Sequence, residues 1–220
     1  MKVRYLLFGL CMIMGGKSFA QEEEDKTKYR EDQFYISFAL QFQQEDIEGF
    51  KQNGFSNNFQ IGFVRDMSLN ANGTIALGLG LGYGYNKLVS NLNIESEGSN
   101  TVFAVREGQK NLQNFSSLVI PFSFRFRTST ADRTDFWRMY GGFKYNLNFG
   151  AHFNPFYGGS FENDSLRKNN TAVFLSMGYN TWNLFLEYDL NSIYKSEVQL
   201  QNTTHPKLQT LKLGLIFYIL

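Results

Sequence analysis

Large apolar and aromatic residues recur at every second position through eight stretches of the chain: 34–42, 59–67, 75–86, 118–127, 137–149, 171–179, 182–190 and 208–220. A period of two marks strands with one apolar face. Each stretch is long enough to cross a bilayer as a tilted strand, which takes about 9 to 11 residues, and some extend beyond it. Long polar connections, 43–57, 87–115, 150–170 and 191–207, alternate with short ones, 68–73, 129–135 and the pair Asn180-Thr181. With both chain ends on the short-turn side, that alternation predicts an all-β fold. The expectation is an eight-stranded antiparallel transmembrane β-barrel with short periplasmic turns and long extracellular loops.

A soluble barrel with its apolar face turned inward competes with this reading. Size decides between them, because eight strands enclose only enough space for their own side chains or one small ligand. The bulky residues at alternate positions, from Phe34, Ile36, Phe38, Leu40 and Phe42 to Leu211, Leu213, Leu215, Phe217 and Ile219, exceed that space. They must face outward, and lipid is the solvent that rewards a continuous apolar exterior. The same cramped interior disfavours a small-molecule ligand.

The other face is then the lumen wall. In 76–86, ALGLGLGYGYN, it consists of Gly78, Gly80, Gly82 and Gly84, which leaves space beside the strand. The remaining strands place Asp66, Arg125, Arg127, Arg138, Lys144, Glu187, Asp189 and Lys212 on that inward face. Arg125 and Arg127, on the neighbouring fourth strand, are the expected occupants of the glycine groove. Confined charges need partners, and five basic groups against three acidic ones leave a surplus for Asn146, Asn148, water or the open ends.

Residues 1–20 read as a secretory signal peptide: basic Lys2 and Arg4, an apolar run at 5–14, and Ser18-Phe19-Ala20 before a cut after Ala20. Leu10 before Cys11 is the wrong residue for lipidation. Residues 21–33, with Glu22, Glu23, Glu24 and Asp25 among basic residues, read as a periplasmic tail, and 34–220 as the barrel domain in the bacterial outer membrane. Removing Lys2, Arg4 and Lys17 takes the formal net charge from +1 to −2. That balance gives nucleic-acid binding no support. Cys11 is the sole cysteine, so the exported chain holds together without disulfides.

Tyr83 and Tyr85 toward the long loops, and Trp137, Tyr179 and Trp182 toward the short turns, form the expected aromatic girdles; Tyr145 and Phe149 extend the upper one. Arg65 falls on the lipid face, near enough to a strand end to reach headgroups. Pro121 interrupts a ladder, so a bulge, or a strand section above the membrane, is expected there. His152 and His205 lie in separate loops without metal-ligand spacing, and no nucleophile has a base in sequence context. The reading therefore assigns no catalytic, cofactor or metal site, and lipid is the first partner.

YREDQFY at 29–35, GFVRDM at 62–67, FWRMYGGFKYN at 136–146, GYNTWN at 178–183 and LKLGLIFYIL at 211–220 resemble the PorT proteins, a family of porin-like outer-membrane barrels. The resemblance covers most of the chain after residue 20, and less of the long loops. It implies a non-enzymatic component required for type IX secretion and gliding motility, with other secretion-machinery proteins as partners. A small porin-like or ligand-binding barrel is the alternative, and a lipid-modifying barrel enzyme a third.

Overall fold

The computed structural model describes residues 32–44, 47–97, 100–128, 137–196, 198–200, 203–204 and 207–219. The expected signal peptide and most of the expected N-terminal tail lie outside them, as does His205. Strands in chain order are β1 (Gln33–Gln44), β2 (Asn57–Ser68), β3 (Ile75–Ser90), β4 (Leu92–Glu97), β5 (Asn100–Val105), β6 (Asn111–Arg127), β7 (Trp137–Asn154), β8 (Phe161–Glu162), β9 (Asn169–Tyr179), β10 (Trp182–Asp189), β11 (Gln199–Leu200), β12 (Thr203–Thr204) and β13 (Gln209–Ile219). Eight of them, β1, β2, β3, β6, β7, β9, β10 and β13, are the barrel. Each pairs antiparallel with its neighbours, β1 meets β13, and β6–β7 pairing completes the ring. A closed ring leaves no strand edge for lipid to meet.

Alternation decides which side each residue takes. On β1, Phe34, Phe38, Leu40 and Phe42 are exposed while Gln33, Tyr35, Ser37, Ala39 and Gln41 are buried. All eight barrel strands repeat the scheme. The protein is apolar outside and polar within, the arrangement that a bilayer rather than water selects.

Two backbone features differ from expectation. Pro121 causes no bulge: its pairing with β7 runs unbroken, and the ladder to β3 skips only the Gly80 and Leu81 positions, where Pro121 has no N–H to donate. The bulge lies higher on β7, opposite the step from Asn114 to Ser116, with Gly150 at φ 59°. Glycine enters that left-handed region without strain. The extra residue reverses the strand's parity, so Phe149 faces outward while Phe153 turns in and is buried.

The long connections are not merely polar loops. β4 and β5 form a hairpin, β11 joins β5 in parallel, and β12 completes a small second sheet. Leu92, Phe103, Leu166, Ile193, Tyr194, Val198 and Leu208 pack with Leu88 and Phe115 from the barrel tops, and Ile47 and Phe50 lean against them. All four long connections thus contribute to one apolar cap. Asn91 pins the first to the second, accepting from Lys51 N at 2.8 Å and donating to Gly49 O at 2.9 Å.

Candidate functional site

The lumen is built in storeys, each contributed by residues at matching heights on neighbouring strands. Lowest, at the short-turn end, Arg125 Nη1 donates to Asp66 Oδ1 at 2.6 Å and Arg127 Nη2 pairs with Asp66 Oδ2 at 2.7 Å. Arg125 also donates to Gln33, Arg127 Nε to Gly73 O at 2.6 Å, and Arg138 Nη1 to Asn180 O at 2.8 Å. Asp66 is thus shared by two guanidiniums, which spreads one carboxylate over two buried cations. Asn180 sits at φ 54° in the two-residue turn before Trp182, a conformation asparagine tolerates.

Above lies an aromatic storey of Tyr35, Tyr140, Phe174, Phe185 and Tyr218 with Val64 and Ile216. It also holds cations: the Arg125 guanidinium lies 4.1 Å from the Tyr140 ring centre, and Lys144 Nζ 4.3 Å from that of Phe185. Ring faces are negative, so they share in holding the charge that carboxylates leave unmatched.

The third storey is a second charge cluster. Lys144 Nζ donates to Glu187 Oε2 at 2.7 Å and to Gln60 Oε1 at 2.7 Å; Lys212 Nζ donates to Glu187 Oε1 at 2.5 Å and to Asp189 Oδ1 at 3.4 Å. From it an amide chain runs round the wall. Gln60 donates to Asn58, Asn58 to Asn86, Asn86 to the Ser117 hydroxyl, Ser117 to Asn148, and Asn148 to the Arg167 carbonyl, at 2.7 to 3.2 Å. Each group is donor and acceptor in turn, so the chain polarises cooperatively. The apolar cap closes the top, tied to the wall where the Tyr194 hydroxyl donates to Gln113. Burial pushes the Tyr194 phenol well above its ordinary value.

All eight charged residues singled out by alternation face this interior, in two clusters separated by the aromatic storey. The glycine groove has other occupants than the arginine pair. A Cβ on Gly78 would lie 2.8 Å from Arg125 Cδ, but one on Gly80 meets Val64 and Pro121, one on Gly82 meets the Tyr35 hydroxyl, and one on Gly84 comes closest to Val119. Arg127 turns down to Asp66 and Gly73 and never enters the groove. Position explains this, since Tyr35 lies beside the Gly62–Gly82 pair in register while Arg127 stands at the strand end. Asn148, considered as a sink for surplus charge, is committed to the amide chain.

On the outer wall Trp137, Tyr179 and Trp182 ring the short-turn end, with Trp137 edge-on to Tyr179 at 5.6 Å and Trp182 edge-on to Phe217 at 4.8 Å. Tyr83 and Tyr85 are exposed higher up, the Tyr83 hydroxyl 2.7 Å from Ser116 Oγ. Arg65 is exposed on the lipid face. His152 is exposed too, paired in register with Asn114 and Glu162.

Sequence reasoning missed the aromatic storey and the cap. Tyr35, Tyr140, Phe174, Phe185 and Tyr218 stand at inward parity in strands whose bulky residues otherwise point out, and that parity was the available signal.

Among the described residues little space remains inside. One cavity beneath the cap and one among the aromatic residues each measure about 10 Å³, room for about one water apiece.

A family model described as outer membrane protein beta-barrel domain matches residues 19–193. Two crystal structures of Ail, the attachment invasion locus protein of Yersinia pestis, are similar at 14% identity, with TM-scores of 0.41 and 0.38; one is in complex with the heparin analogue sucrose octasulfate. They cover 86% of this chain and 99% and 97% of their own. No curated relative matches the chain by sequence. An apolar-outside closed barrel with that family match means that the chain belongs to the outer membrane protein beta-barrel domain family and resides in the bacterial outer membrane.

Proposed function

We propose that the protein is a PorT-type, non-enzymatic component required for protein secretion across the outer membrane by the type IX route, and for gliding motility. The carrying observation is the filled lumen: among the described residues, two ion-pair clusters, an aromatic storey and an apolar cap leave cavities of about 10 Å³. A barrel filled in this way acts through its surfaces, as a machine part does, whereas the small-pore alternative needs a path that the described residues do not offer. The resemblance at 29–35, 62–67, 136–146, 178–183 and 211–220 supplies the particular machine.

Deletion of the gene tests the reading. Cargo proteins should accumulate in the periplasm and return to the cell surface when the intact chain is restored. A chain ending before Leu208 should not rescue, since without β13 the barrel edges at β1 and β10 face lipid unpaired. A His152→Ala, His205→Ala double variant should rescue fully. Normal secretion in the deletion strain would defeat the assignment, and failure of the folded double variant would turn attention to chemistry at the histidines.

A further inference from the structure

The bulge at Gly150 decides which side chains of β7 face outward above the lipid belt. Without the extra residue, Ala151 and Phe153 would continue the outward file of Leu147 and Phe149; with it, His152 takes the outward place and Phe153 is buried. Bulges commonly serve to re-aim a side chain in this way. His152 thereby completes a cross-strand row of register partners on the outer wall: Asn57 on β2, Lys87 on β3, Asn114 on β6, His152 on β7 and Glu162 on β8. All five are at least partly exposed. The row directly beneath is Phe59, Tyr85, Ser116 and Phe149, with its three rings exposed. Ile75 to Tyr85 is ten steps along β3. At about 3.3 Å per step and a tilt of about 40°, those steps rise roughly 25 Å, the height of the apolar band of an outer-membrane barrel. Lys87 and its row stand one pleat higher, at the level of the extracellular headgroups.

We propose that this row binds the head of a phosphorylated glycolipid of the extracellular leaflet, with its acyl chains on the aromatic row below. Continuity and chemistry identify the occupant. The aromatic row belongs to the belt that already faces lipid, so a lipid reaches the polar row without leaving the bilayer. Four strand spacings of about 4.8 Å separate Asn57 from Glu162, so the row is about 19 Å long. A single phosphate headgroup would engage Lys87 and leave Asn114, His152 and Glu162 with nothing to bind, whereas a head of two or more sugar rings reaches all of them. Amide, imidazole and carboxylate groups donate to and accept from hydroxyls, as sugars require. The charges set the direction: the phosphate lies at Lys87, and the sugar hydroxyls extend past Asn114 and His152 to Glu162, which would repel an anion. This inference is independent of any role in secretion.

The test is native mass spectrometry of the full barrel, extracted from its own membrane in mild detergent and weighed, then delipidated and titrated with lipid A, a phosphorylated disaccharide lipid, or with phosphatidylglycerol. Heat-dependent gel migration certifies folding of each variant. Lipid A should bind more tightly than phosphatidylglycerol. Lys87→Gln should weaken both lipids by roughly tenfold, the weight of one hydrogen bond to a charged group. His152→Ala should weaken lipid A by about fivefold, the weight of a neutral hydrogen bond, and leave phosphatidylglycerol unchanged. Gln44→Ala, exposed on β1 outside the row, should leave both lipids unaffected. Equal affinity for the two lipids, unchanged binding in Lys87→Gln and His152→Ala, equal loss in Gln44→Ala, or a second protein chain retained from the membrane in place of glycolipid would each overturn the proposal.

Discussion

Below the extracellular rim the residues shielded from solvent include Arg125, Asp66, Lys144 and Glu187, whereas above it they are Leu92, Phe103, Ile193 and Leu208. The same chain thus builds two interiors of opposite polarity, one on top of the other. The solvent outside explains the inversion. Lipid takes the apolar faces of the barrel strands at no cost, which leaves the polar faces to satisfy one another in a lumen with little room for water among the described residues. The cap stands in water and gains stability from hydrophobic burial in the ordinary way. The lumen therefore depends on every charge keeping its partner, and the cap on packed apolar volume.

The sharpest way to break that contrast is Glu187→Gln. Glu187 accepts from both Lys144 and Lys212, so the change leaves two buried lysines short of charge at once. Removing one partner of a buried pair costs about 3–5 kcal/mol. Urea unfolding in lipid vesicles should show a loss of that order across the whole barrel, or failure to assemble. A barrel indifferent to the change would mean that the lumen is not held by its ion pairs.

Leu92→Ala probes the other interior and should cost about 2–5 kcal/mol, as large-to-small changes in packed cores do. The loss should be local: limited proteolysis should cut within 91–110 or 191–208 while heat-dependent gel migration of the barrel stays unchanged. Loss of the barrel along with the cap would show the two interiors to be one cooperative unit.

The contrast also accounts for what the sequence revealed. Strand parity separates lipid from lumen residue by residue, so the eight barrel strands and all eight lumen charges were visible in it. The cap residues carry no such period: Leu92, Phe103, Leu166, Ile193 and Leu208 are scattered among polar residues in separate connections, and only pairing such as that of β11 with β5 brings them together. The groove was half visible. Glycine parity reveals a space, but which neighbour fills it depends on register, and that is how Tyr35 rather than Arg127 comes to lie against Gly82. The bulge at Gly150 was hidden because a strand whose parity reverses still reads as alternating on either side.

Gly82→Leu tests the groove directly, since even a Cβ there would press on the Tyr35 hydroxyl and lie 2.9 Å from the Ile61 carbonyl. Overpacking of this kind costs about 1–3 kcal/mol. Leu79→Ile, three residues away on the lipid face, should cost much less. Equal tolerance of both in urea titrations would reverse the inside and outside assigned to β3.

The smallest expected effect is at the join between the interiors, where the Tyr194 hydroxyl donates to Gln113 beneath the cap. Tyr194→Phe keeps the ring against Phe103, centroids 4.7 Å apart in the wild type, and removes only the hydrogen bond, worth about 1 kcal/mol. Burial raises the phenol above its ordinary value of about 10, so the folded cap keeps it neutral while the unfolded chain ionises first. The contribution is therefore complete below about pH 10 and is lost as pH rises beyond it. Hydrogen exchange of the cap amides should quicken in wild type from about pH 10 upward relative to the variant, after correction for intrinsic rates, with the barrel amides unaffected. If both proteins showed the same alkaline profile, Tyr194 would be a packing residue alone, and the tie between cap and barrel would rest on Phe115 and Leu88, the two apolar side chains that the barrel strands send up into the cap core.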